Sequence, residues 1–275
     1  MIRLPLRWPA DPPSPLPTGG RRGLFAAGLV LTVMAVAFTG LVLVNRMARQ
    51  TVSEKHVYDF TGSTLSIDLA LGDVQIVPGD SGEITVSRRL TYGLRRPAVE
   101  ERIDGDTFRV TDRNCTADTL FPCQVKWLLQ IPRDLFVEVR TVEGSIRTSG
   151  LSGTVKLTSE SGDVSAVTPS GPLVTLRSRT GDVSAINVNS PQVVATSDTS
   201  PVQLTFRTAP SLVVGRSQRG PVGVLLPDSD DTYKITVSSQ EGSKTVTAHN
   251  DDNAKRKVDI RSVTGDVSVL QSPES

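Results

Sequence analysis

Apolar and polar residues alternate with period two over most of the chain. Val155 and Leu157 flank Lys156, Val164 and Ala166 flank Ser165, Val202, Leu204 and Phe206 flank Gln203 and Thr205, and Val267 and Val269 flank Ser268. This alternation predicts strands with one apolar and one polar face. Turn signals punctuate them at a regular step. Glycine, often followed by aspartate and an apolar residue, stands at Gly144, Gly162, Gly181, Gly220, Gly242 and Gly265, and Ser200-Pro201 takes the same place between Gly181 and Gly220. Successive steps of 18, 19, 19, 20, 22 and 23 residues signal stacked structural units. Gly153, Gly171, Pro191 and Pro210 fall near the midpoints, leaving room in each half for one short strand and a turn. The expected fold is all-β: a single-stranded β-solenoid, or β-helix-like repeat, with two short strands per coil, preceded by one transmembrane helix. An antiparallel sandwich places strands at a similar spacing and is the competing arrangement. The recurring phrases SGDVSA, TGDVSA and TGDVSV favour the solenoid.

The pairs Gly72-Asp73, Gly162-Asp163, Gly181-Asp182 and Gly265-Asp266 are read as repeat turns. Glycine admits positive φ, and aspartate can hydrogen-bond the backbone of the turn it starts. Inward valines and leucines of stacked coils then form ladders, and each coil depends on its neighbours for burial.

Ahead of the repeats, residues 23–44 contain no charge and as a helix would span about 33 Å, enough for a bilayer core. A cleaved signal peptide competes, but the run is long and lacks a clear cleavage site. Arg3, Arg7, Arg21 and Arg22 precede it, which orients the N-terminus to the cytoplasm. The domains expected are a disordered cytoplasmic tail (1–22), a transmembrane helix (23–44), a linker (45–57) and an extracytoplasmic β-repeat domain (58–270) whose first part, 58–124, is an N-terminal cap. The expected localisation is the cell membrane, single-pass. Cys115 and Cys123 are the two cysteines of the chain, and their placement in the external part reads as a disulfide.

Charge narrows the function little. Thirty basic residues face 29 acidic ones, so nothing in the balance announces nucleic acid. Arg177, Arg179, Arg207, Arg216 and Arg219 outnumber the acids of the middle coils; of these, Arg177, Arg179, Arg207 and Arg219 are the candidate ligand face. The outward positions Ser165, Ser184, Thr175 and Thr205 would share in recognition. Trp127 reads as core or cap packing, because aromatic platforms for sugars are otherwise lacking.

The succession Gly72-Asp73-Val74-Gln75-Ile76-Val77-Pro78-Gly79-Asp80, the cysteine pair, Leu128-Leu129-Gln130-Ile131-Pro132 and the repeated Ser-Gly-Asp-Val resemble a bacterial candidate-adhesin family, a β-repeat domain of unknown function, over residues 58–270. Membrane-anchored actinobacterial members have a similar layout. The resemblance implies a solenoid-like fold and a role in surface adhesion or envelope-stress sensing, with no catalytic residues to carry over.

The reading is therefore a non-enzymatic, adhesin-like or scaffold protein, with an envelope-stress sensor as alternative and a polysaccharide-acting enzyme third. The partners expected are the cytoplasmic membrane and cell-wall polymers or an envelope protein, and no cofactor or metal is called for. Calcium is disfavoured because Pro201 and Pro221 interrupt any aspartate ladder that could supply six to eight oxygens. The enzyme reading has Asp163, Asp182 and Arg177 as its candidates. His56 and His249 lie far apart in sequence, without ligand or triad spacing.

Overall fold

The alternating stretches fold as strands that pass back and forth between two sheets. The computed structural model describes residues 19–47, 50–93, 96–113 and 123–272. Residues 48–275 form one compact unit and residues 1–47 another.

The N-terminal part of the larger unit contains β1 (Gln50–Asp59), β2 (Thr64–Leu71), β3 (Asp73–Pro78), β4 (Glu83–Tyr92), β5 (Ala98–Asp104), β6 (Thr107–Arg113) and β7 (Cys123–Ile131). Regular coils follow, each with one strand per sheet: β8 (Phe136–Glu143) with β9 (Ile146–Ser149), β10 (Val155–Ser161) with β11 (Val164–Val167), and β12 (Leu173–Ser178) with β13 (Val183–Val188). Next come β14 (Gln192–Ser197) with β15 (Val202–Phe206), and β16 (Leu212–Ser217) with β17 (Val222–Leu226). The last two coils are β18 (Tyr233–Ser238) with β19 (Lys244–Val246), and β20 (Arg256–Arg261) with β21 (Val267–Gln271).

The first sheet has the order β1-β4-β7-β3-β9-β11-β13-β15-β17-β21-β19, and the second β18-β20-β16-β14-β12-β10-β8-β2-β6-β5. Neighbouring coils pair parallel, as a solenoid requires, with a register shift between Ala185 and Val188 where β13 meets β15. The antiparallel partners are β1, β4 and β5, which close the N-terminal end. Stacking does not follow chain order at either end. The β2–β3 coil lies between the strands β6 and β7 on one side and the β8–β9 coil on the other. The β20–β21 coil lies between β16–β17 and β18–β19.

Register turns the inward side chains into ladders. Phe108, Leu65, Val137, Val155, Val174, Val193, Val213, Val258 and Ile235 succeed one another across the second sheet. Trp127, Val74, Ile146, Val164, Val183, Val202, Val222 and Val267 do the same across the first. Most of these side chains are fully buried, Trp127 among them at 2% exposed. Stacking removes apolar surface from water on both faces of every inner coil, the dominant favourable term in such a fold.

The corners are built from a signal other than the Gly-Asp pair. At every mark after Gly144, a buried serine three positions earlier donates its hydroxyl to the corner carbonyl of the adjacent coil: Ser178 Oγ to Gly162 O at 2.8 Å, Ser197 to Gly181 O at 3.2 Å, and Ser262 to Gly220 O at 2.9 Å. The same oxygen accepts from the corner amide of its own coil, as from Gly181 N to Ser178 Oγ at 2.9 Å. A Cβ at Gly181 would lie 2.1 Å from Gly162 O, so this glycine is fixed by close approach between coils. The aspartates also act between coils. Asp73 Oδ1 accepts from Ser145 N at 3.1 Å, Asp163 Oδ1 from Asp182 N at 3.0 Å, and Asp266 Oδ1 from Ser243 N at 2.8 Å. Asp182 accepts no such bond among the described residues, because the level position on the next coil is Pro201, which lacks an N–H.

Several expectations change. Helix α1 covers Gly19–Met47, so residues 19–22 of the expected tail are helical, and residues 1–18 lie outside the described residues. Among the described residues no helix is long and apolar enough to cross a membrane. The expected transmembrane helix at 23–44 is thereby corrected, and with it the cell-membrane, single-pass localisation and the extracytoplasmic placement of the repeats. The expected linker is also revised: residues 45–47 end α1, and residues 50–57 belong to β1. Part of the expected cap, residues 64–78, forms an inner coil. Cys123 opens β7, while Cys115, and with it the expected pairing, lies outside the described residues.

Candidate functional site

Because the inward rows are filled by apolar ladders and the corner polar groups hold neighbouring coils, the outward rows carry the side chains available to a ligand. On the second sheet one outward row runs Asp68, Arg140, Thr158, Arg177, Thr196, Arg216, Arg261 and Ser238. Glu138, on the neighbouring row, accepts from Arg140 at 2.8 Å and pairs with Lys156 at 3.1 Å. The Lys156 hydrogen bond is the main influence on its carboxyl; burial opposes it, and Arg140 helps hold the group below the usual carboxylate range. At the other end Asp259 pairs with Arg261 at 2.9 Å and with Arg216 at 3.7 Å. Between the two clusters Arg177 makes no ion pair among the described residues. Arg177, Arg216 and Arg261 line a groove of about 450 Å³ together with Asp198, Gln218 and Gln240.

The structure divides the arginines read from sequence as one face. Arg177 lies on the second sheet, Arg179 and Arg219 at the corner before the first sheet, and Arg207 beyond the end of β15 at the opposite corner. Arg216 joins Arg177. Arg261 joins them from a coil further along the chain and could not be foreseen, because its place beside Arg216 depends on the inverted order of the last two coils. Ser165 is 6% exposed and accepts from Ser184 Oγ at 3.0 Å, which leaves it little to offer a ligand.

At the N-terminal end of the first sheet a second groove, of about 560 Å³, is lined by residues of β1, β3, β4 and β7, including Lys55, Arg89, Lys126 and Leu128. Beneath it, on the core side, an ionic cluster closes the end of the solenoid. Glu101, 4% exposed at its side chain, accepts from Tyr58 Oη at 2.7 Å, is 2.9 Å from His56 Nδ1 and pairs with Arg88 at 2.5 Å. Glu54 is held by Arg88 at 2.6 Å and by Arg96. Burial alone would push the Glu54 carboxyl up, but the hydrogen bond and charge of Arg88, with Arg96 and His56, hold it below its ordinary value. The Tyr58 hydroxyl is pushed up to about 12, first by burial and then by its hydrogen bond to Glu101 and the charge of that carboxylate. The Arg88 guanidinium lies 5.9 Å from the Trp127 ring centroid, within cation–π range. No group of three or more potential metal ligands gathers among the described residues. His249 contributes its carbonyl, which accepts from Tyr233 N at 3.0 Å.

A family model described as Toastrack DUF4097 matches residues 63–270, most of the chain. The chain belongs to this family. The membrane-anchored type is not part of what that match establishes. No curated protein matches. Among solved structures, a candidate cell adhesion protein from Clostridium sporogenes aligns with TM-score 0.41 and 9% identity over 81% of this chain and 100% of that one. A candidate adhesin from Bacteroides fragilis aligns with TM-score 0.43 and 11% identity over 80% and 97%. A candidate lipid binding protein from Parabacteroides distasonis aligns with TM-score 0.32 and 9% identity over 80% and 97%.

Proposed function

We propose that the protein acts by binding, in an adhesin-like or scaffolding role toward an anionic surface polymer, without turnover. The observation that carries this reading is the outward row of the second sheet, where coils distant in sequence bring Arg177, Arg216 and Arg261 to one groove. Of the three, Arg177 is the one that makes no ion pair among the described residues. Asp163, a carboxylate nominated for catalysis, is engaged by the Asp182 amide, which supports a structural role for it. The sensor reading depends on a helix that crosses the membrane, and no observation here favours it.

The test is binding of the purified full chain to isolated cell-wall polymer at increasing salt. Saturable, salt-sensitive binding is expected. Arg177→Ser combined with Arg216→Ser should weaken it about tenfold, equivalent to about 1.4 kcal/mol. A folded double variant that binds as tightly as the parent would remove the second sheet from the interaction.

A further inference from the structure

The outward face at the N-terminal end of the first sheet carries cations that the fold leaves unused. Lys55 on β1, Arg89 on β4, Lys126 on β7 and Arg147 on β9 are all exposed, and none makes an ion pair among the described residues. Arg89 stands directly opposite Lys126 across the antiparallel pair, a placement of like charges that works against the strand pairing. Lys55 and Arg147 mark the two ends of the adjacent row, with Ser87, Leu128 and Gln75 between them. At about 4.8 Å per strand, the four cations extend over about 19 Å across the sheet.

Nearby carboxylates are committed elsewhere. Glu54 and Glu101 are held by Arg88 on the core side. Asp73, level with Lys126, accepts the Ser145 amide and forms no ion pair with that lysine. The result is a groove of about 560 Å³ lined by Lys55, Arg88, Arg89 and Lys126 against one carboxylate, Glu54, so its balance is positive.

We propose that this groove binds a linear polyanion with repeated phosphate-type charges, laid across the strands from β1 to β9. Arginine supplies planar paired donors to phosphate and lysine a mobile point charge. Lys55, Arg89 and Lys126 line the groove and Arg147 stands one strand beyond it on the same face, so a chain of charges meets them in succession, whereas a bilayer surface would call for a flat or convex basic face. Neutralising Arg89 and Lys126 also relieves their mutual repulsion, so the bound state gains stability as well as contacts. The site is separate from the arginine groove of the second sheet and shares with the preceding proposal the premise that the protein is a binder.

The experiment is titration of the full chain with short-chain inorganic polyphosphate at several salt concentrations, beside orthophosphate and vesicles containing phosphatidylglycerol. Polyphosphate should bind saturably, with log K falling as log salt rises and the slope shrinking by about one for each cation removed. Arg89→Glu with Lys126→Glu should weaken binding at least tenfold. Arg89→Thr with Lys126→Thr, which suits an exposed strand, should weaken it in the same direction without lowering the Tm of the free protein. Unchanged affinity in either folded double variant overturns the inference, as does binding of vesicles without polyphosphate or of orthophosphate as tightly as polyphosphate. A loss confined to the Arg177, Arg216 double variant overturns this site and leaves the second-sheet proposal standing. A loss in neither pair overturns both.

Discussion

The buried corner serine is the residue on which one coil's attachment to the next depends. Ser178 Oγ satisfies two backbone groups at once, donating to Gly162 O at 2.8 Å and accepting from Gly181 N at 2.9 Å. Replacing it with alanine leaves both without that partner at a site closed to water. Ser178→Ala should therefore lower stability by about 1–3 kcal/mol, read as a lower urea midpoint at unchanged m-value. Gly181→Ala should cost more, because the added Cβ meets backbone that cannot move independently of the adjacent coil. A Ser178→Ala midpoint equal to that of the parent would show that the hydroxyl is dispensable. The equivalent serines were open to view in the sequence as Ser-x-x-Gly at 159–162, 178–181, 217–220, 239–242 and 262–265. Attention to the more familiar Gly-Asp pair hid them, since aspartate beside glycine has a ready explanation within a single turn. The hydrogen bonds that Asp73, Asp163 and Asp266 accept run to a neighbouring coil instead, and one sequence cannot show which coil is the neighbour.

At the scale of elements, the regular coils were legible and the cap was not. Alternation and a stable period suffice to place β8 to β17, because each inward valine or leucine is covered by its counterpart one repeat away. The cap follows other physics. Its strands β1, β4 and β5 pair antiparallel, and the cluster around Glu101 replaces an apolar ladder with ion pairs between elements far apart in sequence. This cluster gives the cap a pH dependence. Tyr58 ionises near 10 in an unfolded chain and at about 12 in the folded one. A raised folded pKa contributes stability that is fully present below about pH 10 and is lost as pH rises through about 12. On the acid side Glu54, held low, contributes stability that is lost as pH falls through its folded value. The Tm of the parent should therefore drop between about pH 10 and 12, and Tyr58→Phe should flatten that drop while leaving the acid limb in place. An alkaline limb of the same steepness in Tyr58→Phe would assign the loss to other groups.

The whole molecule is ordered by which coil can tolerate an open side. The last coil in sequence is an inner coil of the stack, and the next to last forms its end. The reason lies in their side chains. β21 offers Val267 and Val269 to the inward ladder and both are buried, whereas β19 offers Lys244 and Val246, with all three of its residues exposed. A lysine level with the valine ladder can reach water from a terminal coil and would be trapped in an inner one. A polar, short strand also blunts an edge that would otherwise recruit other chains. Chain order and stacking order therefore part company, and β18 and β19 have no strand partner until residues 256–271 are in place. Ending the chain after Ala254 should do more than shorten the solenoid by one coil. Amides of residues 233–246 should lose protection from hydrogen exchange, while those of β12 to β15 keep theirs, since the inner coils retain both neighbours. The β16–β17 coil would become an uncovered apolar end, so the truncated protein should also associate at concentrations where the parent does not. If instead β18 and β19 remain protected in the truncated chain, they can stack directly on β16 and β17, and the polarity of β19 does not set the order of the coils.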